Sequence, residues 1–230
     1  MIVRGEWPQG EGYLRAGYQT AGRGQTGNGW ESEEGKNLLG SILVEGGKWK
    51  VERSFDLNVA VSVAVRRVLG EGFTIKWPND IYYGDKKVAG ILIENVIIGS
   101  EVKYSIAGIG LNVNQTEFRS DAPNPISLKQ ITGKDYDLEE LMEQVYAEVQ
   151  QKALKEDVWG EYLAHLYRRE GFWPFVEREV STVPTMNADK QAEGIFMARI
   201  ENVLPTGEIV LKDQEGKERI YHLKQVRYVL

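Results

Sequence analysis

Four short segments of this chain hold residue types that handle anions and flat ligands. The first is a glycine loop, Ala21-Gly22-Arg23-Gly24-Gln25-Thr26-Gly27-Asn28-Gly29. Its Gly22-x-Gly24-x-x-Gly27 spacing matches the dinucleotide fingerprint, which needs a helix to start at once so that the helix N-terminus holds a pyrophosphate. The next residues, Trp30-Glu31-Ser32-Glu33-Glu34-Gly35, have no amphipathic period. A Rossmann site is therefore not expected. Nor is a P-loop, because Asn28-Gly29 stands where Lys-Ser/Thr is required. What remains is a loop presenting Arg23 and bare backbone N–H groups, able to wrap an anion. The bland alternative is a plain surface loop.

The second segment is Lys76-Trp77-Pro78-Asn79-Asp80. Pro78 holds Trp77 extended, so a strand stops there and a turn sets Asn79 and Asp80 at its end. A carboxylate beside an amide suits Mg²⁺, a hard cation that takes oxygen ligands and keeps waters; the alternative is an Asn-Asp turn bonded to its own backbone. The third and fourth segments are Lys86-Lys87-Val88-Ala89-Gly90-Ile91-Leu92-Ile93-Glu94 and Gly108-Ile109-Gly110-Leu111-Asn112. Both read as apolar strands interrupted by glycine, which weakens a strand unless a ligand or another backbone must come close. Two such strands imply a slot with backbone walls for a flat ligand, or else a pair of β-bulges.

These segments must be held by a scaffold. Strands are expected over residues 13–19, 37–45, 73–77, 81–83, 88–95 and 103–114, the fourth and fifth forming a hairpin around Gly84-Asp85-Lys86. A largely buried helix is expected over 54–69, with Ser54 as N-cap. Two more are expected over 138–156, opened by Asp137…Glu140, and over 158–170, where Trp159, Tyr162, Leu163, Leu166 and Tyr167 make one stripe. From about residue 175 the pattern alternates and turns at Pro205-Thr206-Gly207 and at 213–216, as in a small all-β unit. The expected fold class is α+β, a mixed or antiparallel sheet with packed helices over 1–174, followed by a small SH3-like C-terminal β-barrel over 175–230.

Bulk properties narrow the function. The 230 residues can build one large domain or a domain with a small appendage. A net charge of −6 gives no global attraction for nucleic acid. There is no cysteine, which removes disulfides, thiolate catalysis and cysteine–zinc sites. His165 and His222 lie far from the glycine segments and read as structural. No signal peptide is apparent, and the apolar runs at 59–65 and 88–98 are too short to span a bilayer. The cytoplasm is the default location, with no membrane partner.

Taken in order, Gln19-Thr20-Ala21-Gly22-Arg23-Gly24, Lys76-Trp77-Pro78-Asn79-Asp80, Lys87-Val88-Ala89-Gly90-Ile91-Leu92-Ile93-Glu94 and Gly108-Ile109-Gly110-Leu111-Asn112-Val113-Asn114 resemble the signature blocks of the biotin–protein ligases. The resemblance is close over residues 13–115 and looser beyond. It implies a class II synthetase-like catalytic domain, and an enzyme that activates biotin with ATP to biotinyl-AMP and passes it to a lysine of a biotin carboxyl carrier protein. Gln19, Gly22, Arg23, Lys87, Gly90, Gly108 and Gly110 would contact biotin or its activated form. Trp30, Lys76, Asn79 and Asn112 would serve ATP; Asp80 and Asn112 would hold Mg²⁺. Arg23, Lys87 and Asp80 would carry the chemistry. A homodimer through exposed strand edges is compatible with this reading. The runners-up are a lipoate–protein ligase and a binding-only protein.

The sequence departs from the family in two places. A Ser/Thr-Thr-Asn segment that helps hold the biotin ureido group in the family would fall just before Met1, and with 18 residues ahead of Gln19 no helix-turn-helix repressor domain is expected. The arginines that usually follow the Gly-Arg-Gly are replaced by Gln25 and Asn28. Phosphate binding there rests on hydrogen bonds rather than charge, so Gln25→Arg is expected to tighten ATP binding measured by calorimetry. Unchanged affinity would show that this position does not meet the phosphates.

Overall fold

A computed structural model describes residues 12–24, 29–45, 51–120, 124–178 and 194–230. Gln25 and Asn28 lie outside the described residues. The first sheet uses β1 (Tyr13–Ala16), β4 (Leu38–Glu45), β5 (Phe73–Lys76), β6 (Asp80–Tyr83), β7 (Lys86–Ile98) and β8 (Glu101–Leu111). Between β1 and β4, β2 (Gly22–Arg23) and β3 (Gly29–Trp30) pair as a separate two-stranded ribbon, the stem of the glycine loop. The six-stranded order is β1-β4-β8-β7-β6-β5, antiparallel at every pairing.

One face of this sheet is closed by helices. α1 (Phe55–Leu69) buries Leu57, Val59, Ala60, Val61, Val63, Ala64 and Val65, so apolar residues surround it on nearly every side. Burying each of those valines stabilises the fold by about 1.5–3 kcal/mol relative to exposure. Ser54 does not cap α1 as expected. Its backbone is already helical and its side chain makes no cap bond, because a 3₁₀ turn at Val51–Arg53 runs straight into the helix.

The other helices are shorter than the sequence pattern implies. α3 (Leu138–Ala147) starts as expected, with the Asp137 carboxylate accepting from the Glu139 and Glu140 N–H groups. It then widens into a π-helical stretch, Glu148–Ala153, where Glu148 reaches Arg67 at 2.9 Å. α4 (Trp159–Ala164) ends well before residue 170. There the chain pairs with β5 instead: Ile75 N–H donates to His165 O and Tyr167 N–H to Ile75 O, both at 2.8 Å. Tertiary backbone bonding overrides the helical period, and Arg168 adopts a positive φ of 56°. The sequence reading missed α2 (Leu128–Thr132), although Ser127 and Gln130 form a complete capping box. A helix of five residues is too short to show a period.

β9 (Trp173–Glu177), β10 (Ile195–Val203), β11 (Ile209–Asp213), β12 (Glu218–Tyr221) and β13 (Val226–Tyr228) form a second antiparallel sheet, order β12-β11-β10-β9-β13. It is sewn to the first. Trp77 Nε1 donates to Gly207 O at 3.0 Å, and Gly207 packs on Phe55 at the start of α1. Gly207 has φ +101°, and an added Cβ would stand 2.7 Å from the Phe55 ring. Gly207→Ala is therefore expected to lower unfolding stability by roughly 2 kcal/mol, seen as a fall of several degrees in Tm. An unchanged Tm would mean that this seam gives way easily.

Candidate functional site

Pairing across β4, β8 and β7 builds the floor of a slot. Leu39 pairs with Gly110, which pairs with Gly90; Ser41 pairs with Gly108, which pairs with Leu92. Directly opposed residues lie on one face of a sheet, and so do residues two apart along a strand. Three glycines therefore share one face with Leu39, Ser41 and Leu92. No bulge explains them, since the register shifts of β7 fall at its pairing with Ile81/Tyr82 and at Val96/Ile97. The floor opens into a cavity of about 470 Å³ whose rim carries Gln19, Arg23, Trp30, Asp80 and Lys87. That volume is within the range for small-ligand sites.

Trp30 leans on this floor. A Cβ at Gly110 would come 2.5 Å from the Trp30 ring, and one at Gly90 3.1 Å from it. Both positions need glycine because the indole occupies the space of a side chain. Gly108 is different: a Cβ there would meet its nearest atom, Leu92 O, at 3.5 Å, an ordinary contact. Gly108 thus leaves an open place between the Ser41 and Leu92 side chains, beside the indole. The Trp30 Nε1 is buried and has no hydrogen-bond partner. An orphaned buried donor costs about 1–3 kcal/mol, a cost that an acceptor on a ligand would remove. Gly22 lies beneath this arrangement, where a Cβ would stand 2.5 Å from Trp30 O and 2.9 Å from Gln19 Oε1.

A bulge aims Lys87. Ile81 pairs with Ala89 but Tyr82 with Lys87, so β7 carries one extra residue there. In a regular strand, Lys87 and Gly90 would face opposite ways. With the extra residue, Lys87 Nζ stands 3.2 Å from where a Gly90 Cβ would be and 5.7 Å from the Trp30 ring centroid. Lys87 pairs with Asp80 at 2.8 Å, both side chains partly exposed. Cation and carboxylate thus neutralise each other at the slot. An anionic ligand would recruit the first, and a divalent cation the second.

Other expected site residues stand outside the rim. Asn79 is buried, and its amide donates to Asn58 Oδ1 at 2.8 Å, toward the start of α1. Asn112 is buried at the end of β8, its amide donating to Ile126 O at 3.3 Å and Lys87 O at 3.5 Å. It braces the strand that carries Lys87. Lys76 sits at the seam with the second sheet, bonded to Tyr82 Oη at 3.0 Å and lying over the rings of Tyr82 and Tyr228. Burial holds its ammonium below the usual lysine range, although the Asp80 charge opposes the shift. His165 donates from Nδ1 to Glu161 O at 2.9 Å and His222 faces Glu208, both remote from the slot. Among the described residues no three His, Asp or Glu side chains cluster as metal ligands, and no helix is long and apolar enough to cross a membrane.

Sequence reasoning missed the polar network behind Trp30. Asn37 is fully buried, accepts from Val113 N–H at 3.0 Å and donates to Gln115 Oε1. Gln115 also accepts from Glu33 N–H at 3.0 Å and reaches Glu31 at 3.4 Å. The signal was two amides beside apolar runs, legible only once the strands are paired.

Lys76 yields a prediction with a pH signature. Its pKa is lowered on folding from the ordinary 10.5. Below that range it is charged in both states, and burying the charge opposes folding. As pH rises through the folded pKa toward 10.5, the folded state loses its proton first and the penalty fades. Lys76→Met should match or exceed the parent Tm at pH 7, with the gap closing as pH approaches 10. A fall of several degrees at pH 7 would mark Lys76 as a structural cation.

The model of the Biotin/lipoate A/B protein ligase family matches residues 5–112. The bifunctional ligase/repressor BirA of Bacillus spizizenii is 28% identical over 215 residues, covering 88% of this chain and 62% of that protein. The chain thus spans about three fifths of that relative's length. The biotin–[acetyl-CoA-carboxylase] ligase of Paracoccus denitrificans is 26% identical over 220 residues, covering 92% of this chain and 88% of its own. A biotin protein ligase from Aquifex aeolicus, solved in complex with biotin and ATP, superposes with a TM-score of 0.73 at 26% identity, covering 97% of this chain and 92% of that one. The chain carries a biotin/lipoate A/B protein ligase domain and is homologous to the biotin–protein ligases.

Proposed function

We propose that this chain is a biotin–protein ligase, and that the glycine floor beside Trp30 and Lys87 is its active site. The observation that carries the reading is the floor itself: three glycines in register on one face, flat enough for fused neutral rings and rimmed by two cations and a carboxylate. The rings would lie on the Ser41–Gly108–Leu92 row, and the charged end would extend past Trp30 toward Lys87 and Arg23.

In the first step a carboxylate oxygen of biotin attacks the α-phosphorus of ATP. The bond to the bridging oxygen breaks and pyrophosphate leaves. No enzyme nucleophile is needed, since the obstacle is bringing one anion against another. Lys87 and Arg23 offset that repulsion and align the attack. Trp30 presents an indole face to the base and an unpartnered N–H to an acceptor. Asp80 would hold Mg²⁺, a hard cation, which would supply charge neutralisation on the phosphate oxygens; Lys87, paired with Asp80 at 2.8 Å, would then turn its charge to the anionic ligand. Lys76, Asn79 and Asn112 act behind the slot, holding the strand ends that carry Asp80 and Lys87. In the second step the amine of a carrier lysine attacks the acyl carbon and AMP leaves. The β2–β3 ribbon would cover the mixed anhydride and limit its hydrolysis. The partner is a biotin carboxyl carrier protein or carrier domain, the setting the cytoplasm, and residues 175–230 a small C-terminal domain packed on the first.

The test is to incubate the chain with biotin, ATP and Mg²⁺ and look for biotinyl-AMP by mass spectrometry, with lipoate in parallel. The adenylate is expected with biotin and not with lipoate. Formation with lipoate alone would reassign the chain to the lipoate branch of the family. No adenylate with either would leave a binding protein. Lys87→Ala is expected to lower adenylate formation by about 100-fold or more, given what charged groups contribute at a reacting phosphate.

A further inference from the structure

The segment after the glycine loop is fastened to a second segment by a single carboxylate. Glu31 follows Trp30 directly. Its Oε1 accepts from Arg119 N–H at 2.8 Å and its Oε2 from Ser120 N–H at 2.7 Å, while the Gln115 amide approaches Oε1 at 3.4 Å. Burial alone would raise the Glu31 pKa, but the bonds from Ser120, Arg119 and Gln115 outweigh it and hold the carboxyl below its usual range. Behind this bridge the two segments are joined along their length. Asn114 N–H donates to Lys36 O at 2.7 Å, and buried Gln115 and Asn37 link Glu33 N–H to Val113 N–H. Gln115 in turn donates to Glu117 O at 2.7 Å, which shapes the turn that presents the two N–H groups.

The bridge matters because of what lies on either side of it. Residues 112–120 continue from β8, whose Gly108 and Gly110 are the slot floor. Trp30 is the last residue of β3, the second strand of the glycine-loop stem. Its ring stands on Gly110 and Gly90 without a hydrogen bond of its own, so contact with the floor does not orient it by a polar bond. The backbone that carries the ring is fixed from the C-terminal side by Glu31.

We propose that Glu31 is a positioning residue: its carboxylate latches the backbone of residues 119 and 120 to the residue after Trp30, and so sets the indole at the place where the nucleotide half of the substrate is held. The latch rests on the ligase reading for its effect on ATP, but its effect on Trp30 stands without it. A charged acceptor bonded to two N–H groups is stronger than a neutral one. Glu31→Gln keeps the shape but turns an NH₂ toward one N–H, and Glu31→Ala removes the bridge.

The experiment uses the full chain labelled with 5-fluorotryptophan. Its Trp30 ¹⁹F resonance is assigned by its loss in Trp30→Phe. In Glu31→Ala the Trp30 signal should shift or broaden while the other five tryptophans hold their positions, and Glu31→Gln should fall between it and the parent. Glu34→Gln, which removes a charge from the same segment, should leave the Trp30 signal in place. In biotin-dependent ATP–pyrophosphate exchange, Glu31→Ala should raise KM for ATP about tenfold, the scale of a lost charged hydrogen bond, with kcat and the KM for biotin changed less than twofold. A Trp30 resonance unmoved in Glu31→Ala, or moved equally by Glu34→Gln, overturns the latch. So does a fall in kcat at constant KM. No exchange in the parent overturns the ligase reading instead, and the Trp30 resonance then decides the latch alone. Parental ¹⁹F dispersion of the remaining tryptophans guards against a variant that fails to fold.

Discussion

The slot depends on strand register. Three antiparallel strands, β4, β8 and β7, are paired so that Gly110 and Gly90 stand side by side and Gly108 lies one pleat away on the same face. A one-residue slip in either pairing would turn the glycines of one strand into the helix-covered face and put side chains where the floor is. Register is held by burial on that opposite face, where Ile91, Ile109 and Ile42 join the core beneath α1 and α3. The hydrophobic core thus sets the geometry of a site made largely of missing side chains.

Charge is then placed on this backbone surface by local irregularity. The bulge opposite Tyr82 swings Lys87 over the slot, and the turn at Pro78 delivers Asp80 to meet it. The two neutralise each other, a pairing worth little at this exposure but readily exchanged for stronger partners. Lys76 is the reverse case, a cation kept in a partly buried seam between aromatic rings. Its burial opposes the charged form. The second sheet contributes Tyr228 and Gly207 to this seam, so the C-terminal strands reach the back of the site through Lys76 and Trp77.

Much of this was legible in the sequence, for identifiable reasons. The glycines of β7 and β8 stand out in apolar strands, and their meaning as a floor follows from the period of two. The Gly84-Asp85 hairpin and the C-terminal turns were equally plain, since turn chemistry is local. What was hidden is non-local. The helix stripe continuing to Tyr167 is real as a pattern, yet β5 captures those residues. The bulge that aims Lys87 and the Glu31 bridge exist only once distant segments are paired. Asn79 and Asn112 sit in family-like blocks, but their amides hold Asn58 and the 126 carbonyl rather than line the slot.

The claim that the glycine floor is a binding surface is tested most directly by titrating biotin into Gly108→Val and the parent by calorimetry. At Gly108 an added Cβ meets only ordinary contacts, the nearest at 3.5 Å, and valine suits a strand, so the fold should persist with a Tm near the parent's. Biotin affinity is expected to fall at least about tenfold, the scale of overfilling a packed surface. Parent-like affinity in a folded Gly108→Val chain would contradict the claim and place the ligand elsewhere.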